Sequence, residues 1–200
     1  MKRTPVLTAF CIAGFVFLYA PMVSLIVFSF NDSKLVTVWG GFSLRWYGEL
    51  LQDPVVLRAA WVSFQIAFAS ASIAVVLGTM VAYALTRFAR FRSRALLTGM
   101  ATAPLVMPEV ITGLSLLLLF VSLEQLIGWP QGRGMATIII AHITFCMAFV
   151  AVVVQSRLIG MDRSTEEAAL DLGARPLRVF FDITLPTIAP ALIAGWLLAF

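Results

Sequence analysis

Charged side chains are scarce in this chain. Asp, Glu, Lys and Arg make up 12% of its 200 residues, about half the share in an ordinary soluble domain. Hydrophobic residues reach 61%. A soluble globular protein is thereby excluded, and a polytopic membrane protein is indicated. Cysteine is nearly absent. Cys11 and Cys146 lie far apart in apolar segments, which excludes a disulfide framework and a cysteine metal site. The G-x-x-x-x-G-K-[ST] pattern does not occur, so the chain binds no ATP through a P-loop. If ATP drives its work, another subunit hydrolyses it. Low-complexity tracts and short repeats are also missing. The N-terminal apolar run has no small-x-small cleavage site and is too long for a signal peptide, so it reads as a retained span.

What is present is apolar length. Five apolar segments run over about 6–30, 61–86, 95–122, 135–156 and 187–200. The first four reach the roughly 20 residues that cross a bilayer as helix. The fifth is shorter and stops at Phe200 in mid-run, which predicts that the natural chain continues. The fold class is therefore all-α: a polytopic helical bundle forming one membrane domain over 1–200, with a polar loop at 162–186. Between the first two spans, loop 31–60 carries Trp39, Gly40, Gly41, Trp46 and Tyr47. Turn residues beside interfacial aromatics predict a short amphipathic element at the outer surface.

The net charge of +4 does not signal nucleic acid, because the basic residues sit at the ends of apolar runs. Lys2 and Arg3 precede the first span. Arg87, Arg90, Arg92 and Arg94 crowd the second turnaround, and Arg157, Arg163, Arg175 and Arg178 flank or occupy the polar loop. The opposite side holds Lys34, Arg45, Arg58 and Arg133, balanced by Asp32, Glu49, Asp53 and Glu124. By the positive-inside rule, the N-terminus and the polar loop face the cytoplasm.

That loop is unusually long for a connection between spans. Ser164 and Glu167 have the S-x-x-E spacing of a capping box. Good helix formers follow, Gly173 stands where a left-handed cap belongs, and Pro176 bars simple continuation. The spacing predicts a helix over about 165–172, a bend at 173–176 and a second helical piece reaching Pro186. Ala168, Ala169 and Leu172 share one face of the first helix, where small side chains permit close approach by another protein. The competing reading is a helix lying on lipid.

Glu109 is the one carboxylate inside a predicted span. An ionised group at mid-bilayer costs about 2.5–3.5 kcal/mol on insertion scales, so such groups face a cavity or a partner. Pro104 and Pro108 beside it predict a broken helix, a common way to build a transport site. An anion there suits a cationic substrate. Alternatively it steadies the helix turn that starts at Pro108. Thr112 and Ser115 follow at helical spacing, either lining the same path or bonding back to helix carbonyls. His142, Tyr83 and Trp196 are further path candidates, the aromatics through cation–π contact with an ammonium group. Packing against neighbouring helices is the plainer role for each.

The stretch EAALDLGARPLRVFFDITLP, residues 167–186, reads E-A-A-x3-G-x9-I-x-L-P. It resembles the EAA motif of permease subunits of binding-protein-dependent ABC importers. Residues 29–51, 102–120 and 141–158 are similar to the polyamine branch, on its putrescine side. The resemblance implies a bundle of the type I (MetI-like) importer-permease kind in a bacterial inner membrane, with six spans in the full protein. It also implies that Glu167, Ala168, Ala169, Gly173, Ile183, Leu185 and Pro186 couple the chain to an ATP-binding subunit. The implied partners are a second permease subunit, two copies of the ATP-binding subunit, a periplasmic polyamine-binding protein and membrane lipid. ATP and Mg would sit on the ATPase, with no cofactor and no metal in this chain. The implied mechanism is alternating access, without enzyme activity of its own. Rival readings are a secondary transporter or channel for a small cation, and an intramembrane serine protease. The protease would use Ser115, in Gly113-Leu114-Ser115-Leu116, with His142 as base. A secondary transporter would need no docking loop.

Overall fold

The structure is a computed structural model that describes residues 5–35, 37–88 and 91–200. Lys2, Arg3 and Arg90 of the charge argument lie outside the described residues. The chain divides into two compact units, one ending at Trp61 and the other starting at Val62.

In the first unit, α1 (Pro5–Phe28) is apolar on every side and exposed on every side. Such a helix is stable against lipid or other subunits, not against water. The chain then turns around Asn31, which is buried. Its amide nitrogen donates to the carbonyls of Leu35 and Val38, at 3.3 and 2.7 Å. Its side-chain oxygen accepts from the backbone N–H groups of Ser33 and Gly40, at 3.3 and 2.7 Å. One fully satisfied asparagine thus replaces a hydrophobic core in a loop too short to have one. The Trp46 indole donates to the Asn31 carbonyl at 2.9 Å, pinning α2 (Arg45–Gln52) to this turn. This is the short amphipathic element expected from the aromatics. Next, α3 (Pro54–Arg87) starts on a D-P signal. Asp53 Oδ1 accepts from the N–H groups of Val55 and Val56, at 2.8 and 3.3 Å, and Pro54 takes a position where no donor is needed.

Residue 62 onward contains the rest of α3, then α4 (Arg94–Val106), α5 (Glu109–Ile127), α6 (Met135–Ile159), α7 (Ser164–Asp171), α8 (Pro176–Val179) and α9 (Leu185–Ala199). A π-helical turn, Phe180–Thr184, joins α8 to α9. The apolar segment 95–122 is not one continuous span. It breaks at Met107–Pro108, because a residue before proline is pushed to extended geometry and Met107 has ψ 138°. Pro104, by contrast, stays inside α4. The last apolar segment begins earlier than its composition indicated, since the helical run covers Pro176–Ala199. Among the described residues, five helical segments are long and apolar enough to cross a membrane: Val6–Phe28, Pro54–Arg87, Glu109–Ile127, Met135–Ile159 and Pro176–Ala199.

Val150 is the centre of the packed bundle. It is fully buried with Ala82, Val154, Leu158 and Ile188. Gly78 of α3 and Gly195 of α9 both abut it, and their missing side chains let three helices close. A Cβ on Gly78 would stand 2.8 Å from Val150 Cβ and 2.9 Å from the Met147 carbonyl oxygen. Backbone cannot yield as a side chain does. Gly78→Ala is therefore expected to destabilise the bundle by about 1–3 kcal/mol. A lowered thermal midpoint in detergent measures it. Gly14→Ala, whose Cβ meets nothing within 4 Å, is the control and should leave the midpoint in place.

Candidate functional site: a docking loop and an intramembrane groove

Both ends of α7 are closed by hydrogen bonds within the loop from residue 162 onward. The capping box does not form. Ser164 is the first residue of α7, and its N–H and hydroxyl both donate to the Asp162 carboxylate, at 3.0 and 2.8 Å. The Glu167 N–H bonds the Arg163 carbonyl at 3.0 Å instead. The Ser164 hydroxyl is turned towards the Asp162 carboxylate as a donor, and its N–H goes to the same carboxylate, so neither reciprocal bond of a capping box to Glu167 forms. Hydrogen bonds from Ser164 hold the Asp162 carboxyl below its ordinary value of 3.8. Its contribution is therefore complete at neutral pH and is lost only as pH falls through that depressed value.

The C-terminal end of α7 follows the sequence expectation. Gly173 has φ +85°. Its N–H bonds the Leu170 carbonyl at 2.9 Å, and the Ala174 N–H bonds Ala169 at 3.0 Å. This is a Schellman motif, which satisfies the last carbonyls of a short helix. Arg175 is extended, as a residue before proline must be, and Pro176 opens α8. Pro186 has no N–H, and its ring would collide with the carbonyl four residues back. The chain answers by widening the preceding turn, where the Leu185 N–H reaches back to Phe180. Helix thus continues through Pro186.

The outward face of this loop is partly apolar. Glu167 and Ala168 are exposed and Ala169 is half-buried. Leu172 is 90% exposed and Leu177 74%. Ile183 and Leu185 are half-buried, on the side towards the bundle, and Pro186 is exposed. Two bare leucines on a capped, bent helical pair form a preorganised knob.

The inward face holds a charged cluster that sequence reasoning missed. Glu166 is buried, one residue before the quoted motif. Its Oε2 lies 2.9 Å from Arg87 Nε, and its Oε1 accepts from Arg87 Nη2 at 3.1 Å. The Thr184 hydroxyl donates to the same Oε1 at 2.6 Å. Arg87 was visible only as one of many positive charges at a turnaround. A buried acid in a polar loop has no sequence signature until its partner, 79 residues away, is known.

A second feature lies between α5 and α6. Glu109, Thr112, Gly113 and Leu116 face Ala141, His142, Phe145 and Cys146 across a groove of about 340 Å³. Glu109, Thr112 and His142, three path candidates, are thus brought together. Glu109 is also the first residue of α5 and exposed, so it stands at the end of a membrane-length helix and not, as the sequence led one to expect, at mid-span. Thr112 Oγ1 lies 3.5 Å from the Pro108 carbonyl, a weak back-bond. Ser115 is exposed and falls outside the α5 face that lines the groove. No hydrogen bond joins it to His142 among the described residues, which leaves a Ser–His nucleophile without its geometry. Tyr83 stands elsewhere, edge-on to Phe88 and Phe180 with centroids at 6.3 and 5.1 Å. Trp196 packs on Phe68 and Phe200 and donates to Ser72 Oγ at 3.2 Å. Among the described residues, no three His, Cys, Asp or Glu side chains gather to hold a metal ion.

Residues 74–200 match the family model described as "Binding-protein-dependent transport system inner membrane component". The chain is 61% identical over 198 residues to the putrescine transport system permease protein PotI of Escherichia coli (strain K12), covering 99% of this chain and 70% of that protein. It is 40% identical over 191 residues to the spermidine/putrescine transport system permease protein PotC of the same organism, covering 96% and 70%. A third relative, the PotC protein of Haemophilus influenzae, is 36% identical over 200 residues, covering 100% and 75%.

Proposed function

This chain belongs to the family of inner membrane components of binding-protein-dependent transport systems, and we propose that it is the permease subunit of an ATP-driven polyamine importer. A permease of this kind works within an assembly and is a transport subunit, not an enzyme. The proposed partners are a second permease subunit, two copies of an ATP-binding subunit that carries ATP and Mg, and a periplasmic polyamine-binding protein. The polar loop and the N-terminus face the cytoplasm, as the basic residues argue. One observation carries the reading above all: a Schellman-capped helical knob bears bare Leu172 and Leu177 on the side away from the bundle. Small side chains beside two bare leucines on a bent, capped pair suit close approach by another protein.

Transport follows from two linked parts. The ATPase grips the knob at Glu167, Ala168 and Leu172, and its closure moves α7 together with the helices behind it. The groove between α5 and α6 offers Glu109 as an anion within a mostly apolar wall. A polyamine loses hydration on entering, and a carboxylate replaces part of that lost charge stabilisation. Thr112 adds a hydroxyl acceptor on the same wall. Alternating exposure of the groove to the two sides completes the cycle.

ATP-dependent uptake of labelled putrescine and spermidine, in vesicles carrying the complete transport system, tests this. Saturable putrescine uptake that stops when the ATPase subunit is omitted is the expected result. Uptake that persists without the ATPase overturns it in favour of a secondary transporter. Orientation has its own test. With the two natural cysteines replaced by serine, Gly40→Cys and Gln131→Cys should react with an impermeant thiol reagent added outside. Ser93→Cys should react only after lysis. The reverse pattern removes the docking argument.

A further inference from the structure

Glu166 and Glu167 are neighbours in sequence and opposites in environment. Glu167 is exposed on the side of the docking knob, whereas the Glu166 side chain is 10% exposed and faces the 9% exposed side chain of Arg87. Four segments converge there. Arg87 is the last residue of α3. Glu166 belongs to α7, and Thr184, which donates to it, ends the π-helical turn leading into α9. Arg87 Nη1 also points to the Leu158 carbonyl near the end of α6, at 3.4 Å. A second tether runs beside it, from Arg163 Nη2 to the Thr86 carbonyl at 2.7 Å.

We infer that Arg87, Glu166 and Thr184 form a latch that makes α7 and the membrane helix α3 move as one body. They are positioning residues, and the inference rests on the reading of this loop as the ATPase-docking element. Two turns of helix are too short to hold their own shape or place, so the place of α7 is set by its anchors. Apolar contacts can slide past one another with little penalty. A desolvated ion pair cannot, because separation leaves two buried charges unpaired. Arg87 Nη2 donates to Glu166 Oε1, while Nε lies 2.9 Å from Oε2 as a charge contact without hydrogen-bond alignment, so one directed bond and one close charge contact hold the pair. A push on the outer face of α7 is therefore delivered to α3 and α9 instead of being absorbed in the loop.

The test uses the complete transport system in vesicles, with uptake and ATP hydrolysis both measured per assembled complex. Glu166→Gln should assemble with the ATPase, because the exposed face is untouched, and should hydrolyse ATP. Its uptake per ATP should fall about tenfold, the scale on which coupling networks act. Thr184→Val removes one hydrogen bond without stranding a charge, and should lower the same ratio by less. Exchange of both charges, Arg87→Glu with Glu166→Arg, should recover part of the ratio that Arg87→Glu alone loses. A merely structural cluster would lower the amount of assembled complex and leave uptake per ATP unchanged. That outcome overturns the latch, and if Glu166→Gln fails to assemble, an unchanged ratio in Thr184→Val overturns it as well. Failure of the wild-type chain to couple ATP to uptake would instead remove the underlying reading.

Discussion

Gly173→Val is expected to abolish ATP-driven uptake while the chain still inserts in the membrane. The reason is local. Gly173 has φ +85° and a Cβ there would meet no atom within 4 Å, so space is not the obstacle. The obstacle is the backbone itself, since a β-branched residue in this region costs on the order of 1–3 kcal/mol. The chain can relieve that strain by leaving the left-handed region. It then gives up the bonds from Gly173 to Leu170 and from Ala174 to Ala169, and with them the bend that presents Leu172 and Leu177. Among the described residues, the helices long and apolar enough to cross a membrane keep their sequence, since the substitution falls in the polar loop, so insertion is expected to survive. Co-purification of the ATPase with the membrane protein measures the docking, and labelled polyamine uptake measures the consequence. Gly173→Ala should be less severe, as it lacks the β-branch. Wild-type ATPase binding and uptake by Gly173→Val would remove the docking hypothesis.

Glu109→Gln carries the second large effect. Glutamine keeps the shape and hydrogen-bonding reach of glutamate but not its charge. A hydrogen bond to a charged group contributes about 1.5–3 kcal/mol, which corresponds to roughly ten- to hundredfold in uptake. Polyamine transport per molecule should fall by that order, with a near-normal protein level, and Glu109→Asp should be milder. The helix-terminus role leads to a different result. Loss of about 0.3–1 kcal/mol of dipole stabilisation would lower the protein level and leave transport per molecule intact. Uptake normalised to the amount of membrane protein separates the two. Wild-type transport per molecule by Glu109→Gln would make Glu109 structural.

Much of the architecture was legible in the residues because lipid imposes a simple rule. Every backbone polar group must be satisfied within the segment, so long apolar runs such as 135–156 can only be helix, and α6 spans Met135–Ile159. The C-terminal cap of α7 was equally legible, since glycine followed by proline three residues on permits few conformations. The start of α7 was not. Ser164 fits a capping box in sequence, but its N–H and its hydroxyl both donate to Asp162. Local patterns name candidates for a cap, and the competition between them is settled by geometry. The split of 95–122 was half legible. Pro108 announced a break near Glu109, whereas Pro104 remained inside α4.

By itself, then, the sequence determined what depends on short range and on the solvent: membrane class, helix content, the bend at Gly173 and the presence of an anion near a helix break. Only the tertiary structure decided which distant residues meet. It placed Glu109, Thr112 and His142 on one groove and left Ser115 outside it. It paired Glu166 with Arg87 across 79 residues, and set Val150 against both Gly78 and Gly195. The physical reason is common to all three. Periodicity and capping act within one or two helical turns, whereas helix packing depends on which small side chains allow two backbones to approach, and the chain carries no local signal of its partner's face.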